Sequence, residues 1–161
     1  MSDLEDTAYH EAGHVFVAVY LGARIRIVTL EPDRDDLPDR FGDTQIEWTL
    51  GQFTDRQLHG KCVLVALAGP AAEMIYRGEP CHPGFVPEWA EDWREAWKTA
   101  AQLFPNERDR VRYLEQATAQ LYRLLRRDDH WTTLASIVDH LLAHETLDRE
   151  MIEDIIGGTL R

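Results

Sequence analysis

The strongest constraint on the fold is the run His10-Glu11-Ala12-Gly13-His14. If this run is helical, its two histidines share one face, because four residues advance about 6 Å and turn about 400° along an α-helix. Two imidazole nitrogens on that face can bind one metal ion at about 2.0–2.1 Å. The pattern H-E-x-x-H is therefore a hypothesis for a zinc site, in which Glu11 takes a proton from metal-bound water without itself binding the metal. A surface helix with two solvated histidines is the simpler alternative.

The residues around this motif predict that it is helical. Ser2-Asp3-Leu4-Glu5 has the capping-box form S-x-x-E, and Gly22 is a suitable helix end. Gly13 weakens a helix by about 1 kcal/mol relative to alanine, which is understandable if another element packs closely against it. An apolar stripe at spacings of three and four predicts a core-facing side made of Leu4, Ala8, Ala12, Val15 and Val19.

The composition fits one soluble domain and narrows its partners. A chain of 161 residues with 44% hydrophobic residues suits a single domain spanning residues 1–161. The net charge of −12 argues against binding to nucleic acid. No apolar stretch approaches the about 18 residues of a membrane span, and the acidic amino terminus is unlike a signal peptide. With Cys62 and Cys81 expected as free thiols, we expect a cytoplasmic protein without membrane insertion.

The rest of the sequence predicts a mainly α-helical fold with a small antiparallel β-sheet. β-Branched residues predict strands over 24–30 and 43–50, joined by a loop rich in aspartate and proline over 31–42. Two further loops or breaks are predicted, one over 79–87 and one at Pro105.

Five helices are predicted after the strands. Thr54 is expected to cap a buried helix that ends before Gly78, with Pro70 either kinking it or opening a new helix after a break. The later helices are predicted over 88–104, 106–127, 128–144 and from about 146 or 148 to 157.

The third metal ligand is less certain than the first two. A catalytic zinc usually has three protein ligands and one open position. Asp92 lies at the margin of an apolar stripe, where its carboxylate could face a neighbouring helix, whereas Glu91 and Glu95 point further toward solvent. Spacing alone leaves the choice open, because such a carboxylate is usually solvated. The full set of candidates is His59, Glu73, His82, Glu88, Glu91, Asp92 and Glu95.

Four blocks of the chain, together with its closing segment, carry a family resemblance. The blocks are 7–14 (Thr-Ala-Tyr-His-Glu-Ala-Gly-His), 28–32 (Val-Thr-Leu-Glu-Pro), 67–73 (Leu-Ala-Gly-Pro-Ala-Ala-Glu) and 92–96 (Asp-Trp-Arg-Glu-Ala) with Ala100. In order and spacing they resemble the peptidase domain of the FtsH-type proteases, which are ATP-dependent, membrane-bound zinc peptidases. The segment Glu-Thr-Leu-Asp-Arg-Glu at 145–150 agrees as well. The likeness thus covers essentially the whole chain, with Pro70 replacing an arginine of the family.

The resemblance implies a fold and a set of roles. It implies an FtsH-peptidase-like helical zincin domain that holds Zn²⁺ through His10, His14 and Asp92. It implies Glu11 as the general base. Glu73 would support the site without binding the metal, and an ordinary packing carboxylate is the alternative for that residue.

The chain also departs from the family. Members carry a transmembrane segment and an ATPase module ahead of the peptidase, whereas this sequence has neither of them and no Walker-type phosphate loop. We therefore expect a free-standing peptidase domain. It would act on unfolded polypeptides or short peptides, because it has no motor to unfold a substrate. A separate ATPase partner or a homo-oligomer remains open. The acidic segment 33–39 replaces a glycine-rich turn, which weakens any inference about substrate preference.

The expected activity is zinc-dependent hydrolysis of peptide bonds in a substrate extended along an edge of the small sheet. His82 is the candidate for stabilising the oxyanion. The alternative is a catalytically silent binding or regulatory protein with a structural zinc; the presence of all four catalytic-type residues favours the enzyme. A second histidine pair, His140 and His144, has Leu141 in the position of the base and is expected on the surface. A tryptophan stripe is expected to pack in the core, with a patch that faces a peptide or another subunit as the alternative: Trp89, Trp93 and Trp97.

Overall fold

The computed structural model describes residues 3–31, 42–79, 86 and 89–159. In this part of the chain the fold is mainly helical with one small antiparallel sheet, as the sequence predicts, but the sheet has three strands and not the two that the sequence predicts. The elements are, in order, α1 (Asp3–Tyr20), β1 (Arg24–Thr29), β2 (Asp43–Glu47), α2 (Asp55–Arg77), α3 (Ala90–Ala100), α4 (Glu107–Leu125), α5 (Asp128–His144), β3 (Thr146–Asp148) and α6 (Arg149–Thr159). Several sequence expectations lie outside the described residues: the Ser2 cap, the 33–39 segment, Cys81, His82 and Glu88.

The sheet has the order β2-β1-β3, so β1 is central and β2 forms one edge. Ile25 faces Ile46 across the β1–β2 pair, and Val28 faces Leu147 across the β1–β3 pair. The sequence predicts β1 and β2 but places residues 146–148 in the last helix, which is wrong. Leu147 is buried against Val28, so pairing with a strand more than 100 residues away determines this segment. The non-glycine positive φ of 66° at Glu145 turns the chain from α5 into β3.

Helix α2 is the central helix and packs against α1, α3 and α4. Its start is the predicted one, because Thr54 and Gln57 form a complete capping box. Its end is also as predicted, since Gly78 adopts the left-handed conformation at φ 73°. The helix continues through Pro70, so the proline does not open a new helix.

By length and composition alone, α2 is apolar enough to cross a membrane. However, 56% of its most apolar window is buried inside the fold, and the core helix of a soluble domain has the same features. The expectation of a buried helix is therefore met, while the cellular location stays a prediction.

Helix α1 lies against α2 at close range through Gly13. A Cβ atom added there would meet the Ala68 carbonyl oxygen at 2.5 Å and the Ala72 Cβ at 2.7 Å. Such distances are well inside van der Waals contact, so the missing side chain of Gly13 is what allows the approach. The predicted stripe on α1 is buried at Ala8, Ala12 and Val15 and partly buried at Val19. At Leu4 the expectation is wrong, because this first-turn side chain is 51% exposed.

The third helix is shorter than predicted. It runs over Ala90–Ala100, and residues 101–103 form turns before Asn106 caps α4 as expected. Trp93 and Trp97 pack against the core as expected, but they are only partly buried. The tryptophan that is fully buried is Trp89, which immediately precedes the helix.

The packing at Gly13 gives a stability prediction. Gly13→Ala should lower the free energy of unfolding by about 1–3 kcal/mol, because the new methyl group would displace backbone atoms of α2. Gly157→Ala is the matched control, since a Cβ there meets nothing within 4 Å and should stabilise α6 by about 0.4–1 kcal/mol. Urea unfolding followed by circular dichroism measures both. Equal midpoints for the two variants would contradict the close approach of α1 and α2.

Candidate metal centre

Helix α1 presents His10 and His14 to α2 one above the other. Their rings are 4.8 Å apart between centroids, and the side chains are 11% and 10% exposed. His14 Nδ1 donates to the Val65 carbonyl oxygen at 2.7 Å. His10 Nδ1 donates to Glu73 Oε1 at 3.2 Å. Because each Nδ1 is used as a donor inside the fold, each Nε2 is left pointing into the space between the helices.

Asp92 reaches the same space from the first turn of α3. Its Oδ2 lies 2.7 Å from His10 Nε2 and 3.4 Å from His14 Nε2. The ligand-type atoms of the three residues lie within 4.8 Å of one another. Ligand atoms of a tetrahedral zinc are roughly 3.3 Å apart, given bonds of about 2.0–2.1 Å. Two imidazole nitrogens and one carboxylate thus converge within the range of a single metal ion.

A glycine of α2 keeps the space between the two imidazoles open. A Cβ added at Gly69 would clash with His14 Nε2 and lie 2.7 Å from His14 Cε1 and 2.8 Å from His10 Nε2. The added Cβ atom would lie next to both Nε2 atoms. An ion bound by both histidines would occupy the same space. The residues therefore fit a metal ion, and nitrogen and carboxylate oxygen are donors that zinc accepts.

Charge at the site is consistent with a cation. Burial alone lowers the pKa of His10, but the charge of Asp92 and the hydrogen bonds to Asp92 and Glu73 raise this pKa well above its usual value. For Asp92 the directions are reversed. Burial alone raises the pKa of this carboxyl, but the nearby His14 and His10 hold it well below its usual range. The carboxylates thus favour positive charge on the imidazoles, and a divalent ion would supply that charge in place of protons.

Glu11 is buried beside the two histidines and is held by the sheet. Its side chain is 6% exposed, and its negative charge contributes to the raised pKa of both His10 and His14. Thr44 Oγ1, on the edge strand β2, donates to Glu11 Oε1 at 2.8 Å. A Cβ at Gly42 would lie 2.9 Å from Glu11 Cγ, so the start of β2 packs directly on this side chain. Of the two oxygens of the Glu11 carboxylate, Oε1 is therefore the one that a hydrogen bond from β2 holds in place.

Glu73 lies in a second layer of polar contacts behind His10. Its Oε1 also accepts the indole N–H of Trp89 at 2.9 Å, and its Oε2 lies 3.5 Å from Arg77 Nε. Arg77 in turn pairs with Asp6 at 2.7 Å across the α1–α2 contact. Glu73 contacts a histidine of the group without belonging to the group itself, which agrees with a supporting position.

The remaining candidates do not join the group. Within the described ranges, His10, His14 and Asp92 form the one cluster of histidine, cysteine or acidic residues that could hold an ion, and His59, Glu91 and Glu95 lie outside it. His82 and Glu88 fall in the ranges that the structure leaves undescribed. The pair His140 and His144 is exposed, as expected.

Three features of the site were not found from the sequence. Gly69 is a glycine inside an apolar helix, which is a recognisable signal of a close approach. Trp89 could be placed in an aromatic stripe but not assigned a partner. Thr44 carries no signal at all, because a threonine in a strand is unremarkable.

No model of a known protein family matches the chain, and no curated protein is significantly similar to it. Functional inference therefore depends on the geometry of the site.

Gly69 gives a direct test of the metal centre. Gly69→Ala should weaken metal binding about 5–150-fold, because about 1–3 kcal/mol of overpacking would fall on the two imidazoles. Gly60→Ala, in the same helix, is the control, since its Cβ meets only Tyr113 Oη at 3.6 Å. Zinc titration calorimetry on metal-free protein measures the affinity. A Gly69→Ala protein that binds zinc like Gly60→Ala would place the metal elsewhere.

Proposed function

We propose that this chain is a zinc-dependent endopeptidase with an FtsH-peptidase-like fold, acting on unfolded polypeptides or short peptides. The observation that carries the proposal is the convergence of His10, His14 and Asp92 beside a buried Glu11. A catalytic zinc site needs three protein ligands and an adjacent base, and these four residues supply both.

The proposed chemistry assigns a task to each side chain. His10, His14 and Asp92 would hold Zn²⁺. When bound, the zinc would act as a Lewis acid and lower the pKa of a water molecule toward about 7. Glu11 Oε2 would accept the proton of that water, because Oε1 is already hydrogen-bonded to Thr44. The same oxygen would then deliver the proton to the leaving amine.

The proposed substrate position follows from the edge strand. One side of β2 is not paired with another described strand, and Thr44 of this strand contacts Glu11. A peptide added as a further strand along β2 would therefore pass the catalytic carboxylate. Such pairing uses main-chain groups, which folded proteins seldom expose. Unfolded polypeptides are thus the substrates that this arrangement favours.

The role of Glu11 is tested by Glu11→Gln. Cleavage of unfolded casein by zinc-loaded protein should fall about 10²-fold or more, since the amide cannot accept the proton, while zinc content stays unchanged. Glu115→Gln, an exposed change on α4, is the matched control and should retain full activity. Zinc content and cleavage are measured on the same samples, with and without chelator. Zinc-loaded wild-type protein that cleaves no unfolded substrate would instead support a silent, peptidase-fold binding protein.

The contact between Thr44 and Glu11 gives a second kinetic prediction. Thr44→Val keeps the shape of the side chain but removes a hydrogen bond to a charged group, worth about 1.5 kcal/mol, so kcat should fall about tenfold. Thr49→Val, at an exposed position beyond the strand, should have no effect. Steady-state cleavage of a fluorogenic peptide gives kcat and KM separately. An unchanged kcat in Thr44→Val would show that this hydroxyl does not orient the base.

A further inference from the structure

The indole of Trp89 links the start of α3 to Glu73 of α2 and, through Glu73, to His10 of α1. Its side chain is 1% exposed, and its Nε1–H donates to Glu73 Oε1 at 2.9 Å. The same carboxylate oxygen accepts the Nδ1–H of His10 at 3.2 Å. One oxygen atom of α2 therefore connects a histidine of α1 with the residue that precedes α3.

Trp89 also lies directly at the start of α3. It occupies the N-cap position of this helix but makes no side-chain capping hydrogen bond. Its backbone N–H bonds the Val86 carbonyl oxygen at 2.9 Å, and its ring is turned into the core instead. Asp92 follows three residues later, in the first turn. Since no side-chain cap holds this helix start, the buried indole is a described contact that can hold it.

We propose that Trp89 is a positioning residue of the metal site, which acts through Glu73. Its indole N–H sets the distance between Asp92 and the histidine pair, and it holds Glu73 where that carboxylate keeps the proton of His10 on Nδ1. The proposal deepens the proposed function and rests on the metal centre described above.

The surroundings of Glu73 explain why one donor matters. The Glu73 side chain is 8% exposed, so its contacts with protein groups replace most of its contacts with water. Oε2 faces Arg77, and Oε1 has the two donors His10 and Trp89. Without the indole N–H, Oε1 would keep His10 as its donor among the described residues, and the hydrogen bond from Trp89 to α2 would be lost. Residues behind a metal ligand typically change metal affinity by about 10–100-fold when they are replaced.

The test compares zinc affinity in a mutant cycle. Trp89→Phe removes the N–H and keeps an aromatic ring, and we expect its zinc dissociation constant to rise about 10–100-fold. Trp97→Phe, a partly buried tryptophan two turns further along α3, is the control and should bind like wild type. In a Glu73→Leu background, which has no acceptor for the indole N–H, Trp89→Phe should have a much smaller effect, because the two residues act as one unit.

Each outcome of the cycle decides one question. Unchanged affinity in Trp89→Phe, or additive effects of Trp89→Phe and Glu73→Leu, would reduce Trp89 to a packing residue while the metal centre stands. Wild-type protein that binds no zinc would remove the metal centre and this inference together. Protein that shows the expected coupling but cleaves no peptide would refute the proposed function and leave the positioning role intact.

A second measurement does not depend on the folding of a variant. In ¹⁵N-tryptophan-labelled wild-type protein, hydrogen exchange of the Trp89 indole N–H should slow when zinc is added, because the ion fixes both His10 and Asp92 around Glu73. The indole of Trp97 is the internal reference. Equal exchange of the Trp89 indole with and without zinc would overturn the proposal.

Discussion

The structure of the site depends on how closely α1 and α2 approach each other. Gly13 of α1 lies on the backbone of α2 at Ala68, and Gly69 of α2 lies under the two imidazoles of α1. Gly13 and Gly69 therefore lie on opposite sides of one contact between α1 and α2. Only with both side chains absent can the histidines reach back to Val65 and Glu73 while their Nε2 atoms share one open space. A tight helix pair, made by small residues, is thus the condition for the cluster.

The buried polar groups of this contact are costly for folding. His10, His14, Glu11 and Glu73 are buried polar residues between helices that are otherwise apolar at this contact. Apolar residues of similar size would be as stabilising at such positions or more so. The pKa of His10 is raised and that of Asp92 is lowered by their contact, and such shifted groups are typical of functional sites rather than of cores selected for stability alone. The energetics therefore agree with a site that serves binding or chemistry.

Features that depend on residues close together in the sequence were predicted, whereas features that depend on contacts between distant residues were not. The spacing of His10 and His14, the capping box at Thr54 and the glycine end at Gly78 are local patterns, and the structure has each of them. Strand β3 was missed because it exists only through pairing with β1, which is distant in sequence. Spacing likewise could not choose Asp92 from its neighbours, since α3 faces α1 only after both helices have packed on α2.

The same limit applies to the contacts behind the site. The expected stripe of Trp89, Trp93 and Trp97 treats the three as equivalent residues of one helix. In the structure Trp89 lies before the helix and is buried on Glu73, whereas the other two are only partly buried. Helical periodicity cannot reveal this difference, because it begins to apply only at Ala90. The predicted helix begins two residues before α3 does, and for this reason the sequence did not show that Trp89 contacts Glu73 behind the candidate metal centre.

The number of ligands bears on the choice between a catalytic and a structural metal. A structural zinc is usually enclosed by four protein ligands, whereas a catalytic zinc keeps one position for water or substrate. The described part of the chain supplies three such ligands, and Glu11 lies beside them while being tied to the sheet edge through Thr44. A metal that only linked α3 to α1 would have no use for this fourth side chain. The position of Glu11, between the ligands and the edge strand, is what favours catalysis over a structural role.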